Sequence, residues 1–225
     1  MQMTATPIKG SPREHVYETL RYNIMHLDLK PGTKMSEKDM ADTFKVSRTP
    51  VREAFVRLAQ EELLDIYPQR GTFVSKINLD HLEEARFVRE HLEKAVFAQA
   101  GAGLPAAALQ ELRTNLAAQE ICREAADYQK MLNLDNDFHR IIYHACGKQR
   151  TWELIQNLGV HFYRLRILRL AHDVQWDAIL AQHHSIYEAL QVGDGEKAVH
   201  VAEHHLRLVT VEKAQLLAEY PDYFI

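Results

Sequence analysis

Val46-Ser47-Arg48-Thr49-Pro50-Val51-Arg52-Glu53-Ala54-Phe55-Val56-Arg57-Leu58 is the stretch on which the fold turns. Val51, Ala54, Phe55 and Leu58 recur at three- and four-residue steps, which places them on one face of a helix over about residues 47–64. Pro50 falls in the first turn, where its missing N–H does no harm. Ser47, Arg48, Thr49 and Arg52 crowd polar and basic groups at the helix start. Helix N-termini attract anions, and an arginine fork matches the O6 and N7 edge of guanine. One face can pack while the other reads. A lone R-x-x-x-R on a helix is usually just a solvated surface, so the neighbouring sequence has to decide.

Upstream, Ser36 with Asp39 three residues on resembles a capping box opening a short helix, Glu37–Phe44, and Lys45-Val46 makes a tight turn into the third helix. Before it, Val16, Leu20, Ile24 and Leu27 mark a first helix over Glu14–Met25, ended by Pro31-Gly32. Downstream, extended Leu64–Tyr67 and Thr72–Ser75 flank Pro68-Gln69-Arg70-Gly71 and read as a hairpin. Three short helices and a hairpin make a winged helix-turn-helix, here over residues 13–76 behind a flexible arm of residues 1–12.

From Leu79 the pattern changes to amphipathic helices at roughly 79–100, 106–124, 126–146, 149–171, 175–192 and 195–219. Residues 77–225 are therefore expected to form an all-α antiparallel bundle of six or seven helices, and the fold as a whole to be mainly α.

Bulk composition narrows the function. Of the 225 residues, 46% are hydrophobic and 26% charged, enough for real cores. The formal net charge of −4 looks wrong for a nucleic-acid binder, but it is unevenly spread. Residues 1–76 carry 12 Lys/Arg against 10 Asp/Glu, whereas the remainder is acidic, so DNA contact through the N-terminal end is permitted. Cys122 and Cys146 form no C-x-x-C pair, which suits a reducing, cytoplasmic setting. No apolar leader opens the chain and no run approaches the roughly 20 residues needed to span a bilayer, so no membrane partner is expected.

The chain holds 13 histidines. His15, His26, His81, His91, His161, His172 and His184 have polar neighbours or no partner at ligand spacing, and read as solvated or hydrogen-bonded. Asp135 and His139 lie four apart on a helix face that continues into Ile142, Tyr143 and Cys146. His183 shares a stripe with Ile179, Ile186 and Leu190, and His205 shares one with Val201, Ala202, Leu208 and Val209. Buried carboxylate and imidazole groups need partners, so these four residues are candidates for a divalent transition-metal site: Zn²⁺ foremost, Ni²⁺ or Mn²⁺ otherwise. Spacing alone leaves open a competing His200/His204 pair, a purely structural histidine cluster, or a helical-bundle metalloenzyme. Against the last, no Glu-x-x-His, G-x-S-x-G or P-loop occurs, and an enzyme is not expected.

Taken as an ordered string, Pro31-Gly32, Ser36-Glu37, Met40-Ala41, residues 46–54, Arg57-Leu58 and Arg70-Gly71-Thr72-Phe73-Val74 resemble the GntR family of bacterial repressors. The resemblance implies a homodimer on double-stranded operator DNA. Lys38, Ser47, Arg48, Thr49 and Arg52 would contact the duplex, and the wing tip at Arg70-Gly71 would enter the minor groove. Glu62 departs from the pattern, since the family usually has glycine there. Asp135-Asn136-Asp137-Phe138-His139, His183 through Leu190, and His205-Leu206 are similar to the FCD effector module of FadR-like members. That likeness implies a metal held by Asp135, His139, His183 and His205. Arg89-Glu90-His91-Leu92-Glu93 matches the module's R-x-x-L-E, which would make Arg89 a fork for a small organic-acid effector. Lys148 stands where asparagine is common.

Overall fold

The computed structural model describes residues 11–170, 176–207 and 213–225. The expected arm falls mostly outside these residues, as do His172, Leu208 and Val209. The chain groups into two compact units, one of Met1–Leu82 with Val160–Leu168 and Ala214–Ile225, the other of Glu83–Gly159 with Arg169–Lys213. Both returning segments lie within residues 77–225, the span that the sequence pattern groups as one helical domain.

In the first unit, α1 (Pro12–Met25), α2 (Glu37–Phe44) and α3 (Arg48–Gln60) precede a small antiparallel sheet. Ser36 caps α2 by accepting from the Asp39 N–H at 3.4 Å, and Lys45 at φ 55° turns the chain toward α3. Val16, Leu20 and Ile24 of α1 pack on Val51, Ala54, Phe55 and Leu58 of α3, all fully or nearly fully buried. Leu27, expected in this stripe, instead takes φ 63° past the helix end, and Leu29 is buried with the core.

Three boundaries differ from expectation. Helix α3 stops at Gln60 because Glu62, at φ 59°, turns the backbone left-handed and lets the Leu63 N–H reach the Leu58 carbonyl at 2.9 Å. The hairpin of β2 (Leu64–Tyr67) and β3 (Gly71–Val74) gains a third strand, β1 (Lys34–Met35), in the order β1-β3-β2. Two residues give too little alternation to be read in advance. The expected helix 149–171 is two helices, α7 (Gln149–Leu158) and α8 (Val160–Arg169). They part at Gly159, where a Cβ would stand 2.9 Å from the Ile155 carbonyl oxygen.

Helix α8 belongs to the first unit. Val160 joins its core, and the fully buried Arg164 donates from Nη1 to Ser75 Oγ at 3.0 Å and from Nη2 to the Ser75 carbonyl at 2.6 Å. Burial pulls its guanidinium down to about 10, with Asp65 opposing. The chain's end also returns here, as the Ile77 N–H bonds to the Tyr223 carbonyl at 2.7 Å.

The second unit is helical: α4 (Leu79–Ala100, whose first residues lie in the first unit), α5 (Ala106–Glu124), α6 (Tyr128–Ala145), α7, α9 (Trp176–Gln191) and α10 (Gly195–Arg207). A last helix, α11 (Lys213–Glu219), follows. Asp127 caps α6, and Gly147 at φ 69° closes it, letting the Lys148 N–H reach the Tyr143 carbonyl at 2.8 Å. That fixes the length of the helix carrying Asp135 and His139.

Candidate functional site

Asp135 and His139 from α6, His183 from α9 and His205 from α10 are all buried, and one ligand atom from each lies within 4.8 Å of the others. His183 Nε2 is 3.5 Å and His205 Nε2 3.7 Å from Asp135 Oδ1, and His139 Nε2 is 3.1 Å from His205 Nε2. Phe138 stacks on His183 with centroids 4.4 Å apart, so the next residue of α6 walls the cluster.

The other ring nitrogen of each histidine faces an outer acceptor. His183 Nδ1 donates to Gln119 Oε1 at 2.8 Å, Gln119 Nε2 donates to Asn115 Oδ1 at 2.6 Å, and Asn115 Nδ2 donates to the Leu134 carbonyl at 3.0 Å. A backbone carbonyl can only accept, so this relay has one polarity throughout and fixes the His183 proton on Nδ1. His205 Nδ1 faces Gln182 Oε1 at 3.1 Å, and His139 Nδ1 lies 3.2 Å from Glu93 Oε2. Burial pushes Glu93 up, but Arg89 and His139 overcome it and hold the carboxyl near 2, so Glu93 too can only accept.

With the proton on Nδ1, as the relay fixes it for His183, Nε2 turns its lone pair toward the Asp135 carboxylate and the other rings. Such a constellation calls for positive charge at its centre. A divalent metal fits the donor set, and outer acceptors on Nδ1 are the usual way metal-binding histidines are oriented. Burial draws His205 down to about 3, with Asp135 opposing, which keeps the ring neutral as a ligand must be.

Arg89 is buried and its Nε donates to Glu93 Oε1 at 2.8 Å. Tyr143 is also buried, its hydroxyl pushed well above the usual phenol range by burial and Glu93. His200 and His204 form an exposed pair, with ring centroids 4.6 Å apart, separate from the buried cluster. Lys148 is exposed at the start of α7. Sequence reasoning missed Asn115 and Gln119 of α5 and Gln182 of α9 because an amide is not a metal ligand, so even the four-residue spacing of Asn115 and Gln119 carried no metal-site signal. Glu93 was visible only as the last letter of R-x-x-L-E.

Lys38, Ser47, Arg48, Thr49, Arg52 and Arg70 are exposed, and Gly71 is half-buried. Ser47 is the N-cap of α3 yet makes no side-chain cap bond. Arg52 is held from behind by Glu37 of α2, Nε to Oε1 at 3.1 Å and Nη2 to Oε2 at 3.0 Å. At the wing tip, Gln69 and Gly71 take φ 62° and 116°, and Arg70 lies over the Tyr67 ring.

A winged helix-turn-helix with a basic, exposed recognition-helix start defines a transcriptional regulator. Comparison with known proteins agrees: residues 12–74 match the bacterial regulatory proteins, gntR family, and residues 84–208 match the FCD domain. The chain is 34% identical over 94% of its length to the HTH-type transcriptional repressor RspR of Escherichia coli, 92% of which is covered. Among solved structures, Escherichia coli McbR/YncC superposes with a TM-score of 0.75 at 25% identity, covering 94% of this chain and all of that one. A GntR regulator from Rhodococcus sp. RHA1 shares the fold, with a TM-score of 0.72 at 24% identity over 94% of this chain and 100% of that one. The chain belongs to the GntR family of bacterial transcriptional regulators and carries an FCD domain. These relatives are regulators rather than enzymes, which sets the metalloenzyme alternative aside. Among the described residues no helix is long and apolar enough to cross a membrane.

Proposed function

We propose that the chain is a FadR-like repressor of the cytoplasm that binds operator DNA as a homodimer and answers a small carboxylate through a metal held by Asp135, His139, His183 and His205. In this reading residues 13–76 read DNA, and residues 77–225 sense the effector and dimerise. The observation that carries it is the inward convergence of three imidazole nitrogens and one carboxylate oxygen, with His183 and His205 hydrogen-bonded on Nδ1 and Glu93 3.2 Å behind that of His139. A bound dication would offer open coordination positions to an effector's carboxylate. Arg89, fixed by Glu93, supplies the cationic fork for the ligand's other end.

Lys38, Ser47, Arg48, Thr49 and Arg52 meet the major groove and its phosphates, and Arg70-Gly71 the minor groove. One such unit buries too little surface for tight specific binding, which favours two copies on inverted half-sites. RspR is itself named a repressor, which supports the sign of regulation.

Operator selection followed by anisotropy titration tests the reading. Arg48→Ala and Arg52→Ala should each lose about 1–3 kcal/mol of specific affinity. Untagged protein should carry about one transition metal per chain, and organic acids should shift DNA affinity only when it is loaded. Full operator affinity in both variants would remove the DNA assignment. An equal effector response from metal-stripped protein would remove the metal.

A further inference from the structure

Glu62, His81 and His161 lie far apart in sequence, at the end of α3, the start of α4 and the start of α8, yet all belong to the first unit. Glu62 Oε2 is 2.9 Å from His81 Nδ1 and 3.2 Å from His161 Nε2, and one ligand atom from each residue lies within 4.8 Å of the others. His161 is buried, while the Glu62 and His81 side chains are about half exposed, at 52% and 48%. Glu62 also occupies a left-handed φ of 59°, a conformation that Cβ makes costly. A carboxylate kept in that backbone state with two imidazoles converging on one of its oxygens points to a use for the side chain.

We propose that Glu62, His81 and His161 form a second divalent-metal site, separate from the Asp135 centre, that staples the end of the recognition helix to the starts of α4 and α8. Two imidazoles and a carboxylate suit Zn²⁺, Ni²⁺ or Co²⁺, and the open side admits the waters that complete the shell.

Without metal, both rings donate to Glu62. His161 does so through Nε2–H, because its Nδ1 accepts from the Asn78 N–H at 3.3 Å. Coordination at Nε2 moves that proton to Nδ1 and gives up this long hydrogen bond. Asn78 also caps α4, its Oδ1 accepting from the Asp80 and His81 N–H groups at 2.9 and 3.1 Å, so metal entry is felt at the α4 start. The second site therefore binds more weakly than the four-ligand centre, whose imidazoles already present their lone pairs.

The test is a Zn²⁺ titration of the metal-stripped, untagged full chain by calorimetry, repeated with Co²⁺ in an absorption titration that reads the ligand-field spectrum. Wild type should take up two equivalents, the weaker one also raising the melting temperature. His81→Ala and Glu62→Gly should each take up one and lose that rise. The half-exposed His81 can be truncated without opening the core, and glycine suits the backbone at 62, so both variants should fold. Wild type and His81→Ala both stopping at one equivalent overturns the proposal, as does a second equivalent lost only in His200→Ala. If wild type takes one and His81→Ala none, the second site stands and the Asp135 centre fails instead.

Discussion

The two histidine clusters use the same side chains and reach opposite electrostatic conditions. Around Asp135, Gln119 and Gln182 face the Nδ1 atoms of His183 and His205, and the Glu93 carboxylate stands 3.2 Å from His139 Nδ1, so the Nε2 atoms meet in a buried interior. Around Glu62, the ring protons point inward at the shared carboxylate, and solvent reaches half of the cluster. The first arrangement leaves lone pairs facing one another, a condition that a cation would relieve. In the second the shared carboxylate already meets both rings. What differs is the shell behind the ligands, which decides whether a histidine cluster demands a metal.

The largest expected effect follows from that demand. Stripping the metal from wild type should lower the melting temperature by roughly 5–10 °C, if free metal stands near 100 times its dissociation constant before stripping. His139→Ala should lose most of this metal dependence, which differential scanning fluorimetry with and without chelator reads directly. Equal chelator shifts in wild type and variant would erase the contrast between the clusters.

Acid should find both clusters, in order. Burial holds His161 at about 4 and His205 at about 3, against an ordinary 6.5, so the unfolded chain binds protons that the folded chain refuses. Metal-free stability is thus complete above 6.5 and falls as pH drops toward 4 and then 3. Glu93, held near 2 against 4.5, adds a second loss that begins below 4.5. Urea midpoints should decline from about pH 7 to about pH 5, and His161→Gln should flatten the upper part of the decline. A midpoint constant over that range would show that the burial of these rings does not limit stability.

The relay behind His183 sharpens the comparison further. Gln119→Leu removes the acceptor that keeps the His183 proton on Nδ1 while leaving all four ligand residues unchanged. Metal affinity, read by competition with a chromophoric chelator, should fall about 10–100-fold. Unchanged affinity would mean that the relay only packs.

How much of this could be read in the sequence depends on the range of the interaction. The α3 stripe and the Asp135/His139 pair are local patterns, repeated within one helix, and they emerge from spacing. The break at Gly159 depends on a single carbonyl approach, and the sorting of α8 with the first unit on Arg164 reaching Ser75, 89 residues away. No periodicity carries such information. The Glu62 departure was legible as an odd residue at a glycine position, but its two partners were not. His81 and His161 come to it from remote segments that fold back beside the end of α3.

Glu62→Gly carries the smallest expected effect and separates backbone from side chain. At φ 59° glycine relieves about 1 kcal/mol of left-handed strain, but it loosens the unfolded chain by a similar amount. The variant also loses two contacts to histidines. The one to His81 lies in solvent, where such pairs are worth little, and the one to His161 sits beside a buried ring. Without metal these terms nearly cancel, so the urea midpoint should place the variant within about 1 kcal/mol of wild type. The cancellation should fail in one direction once Zn²⁺ is added. Wild type should gain the stability of the weaker site and the variant should not, so the difference between them grows with Zn²⁺ concentration. A variant already strongly destabilised without metal would show that the Glu62 contacts are structural struts, and the two clusters would then differ less than their geometry suggests.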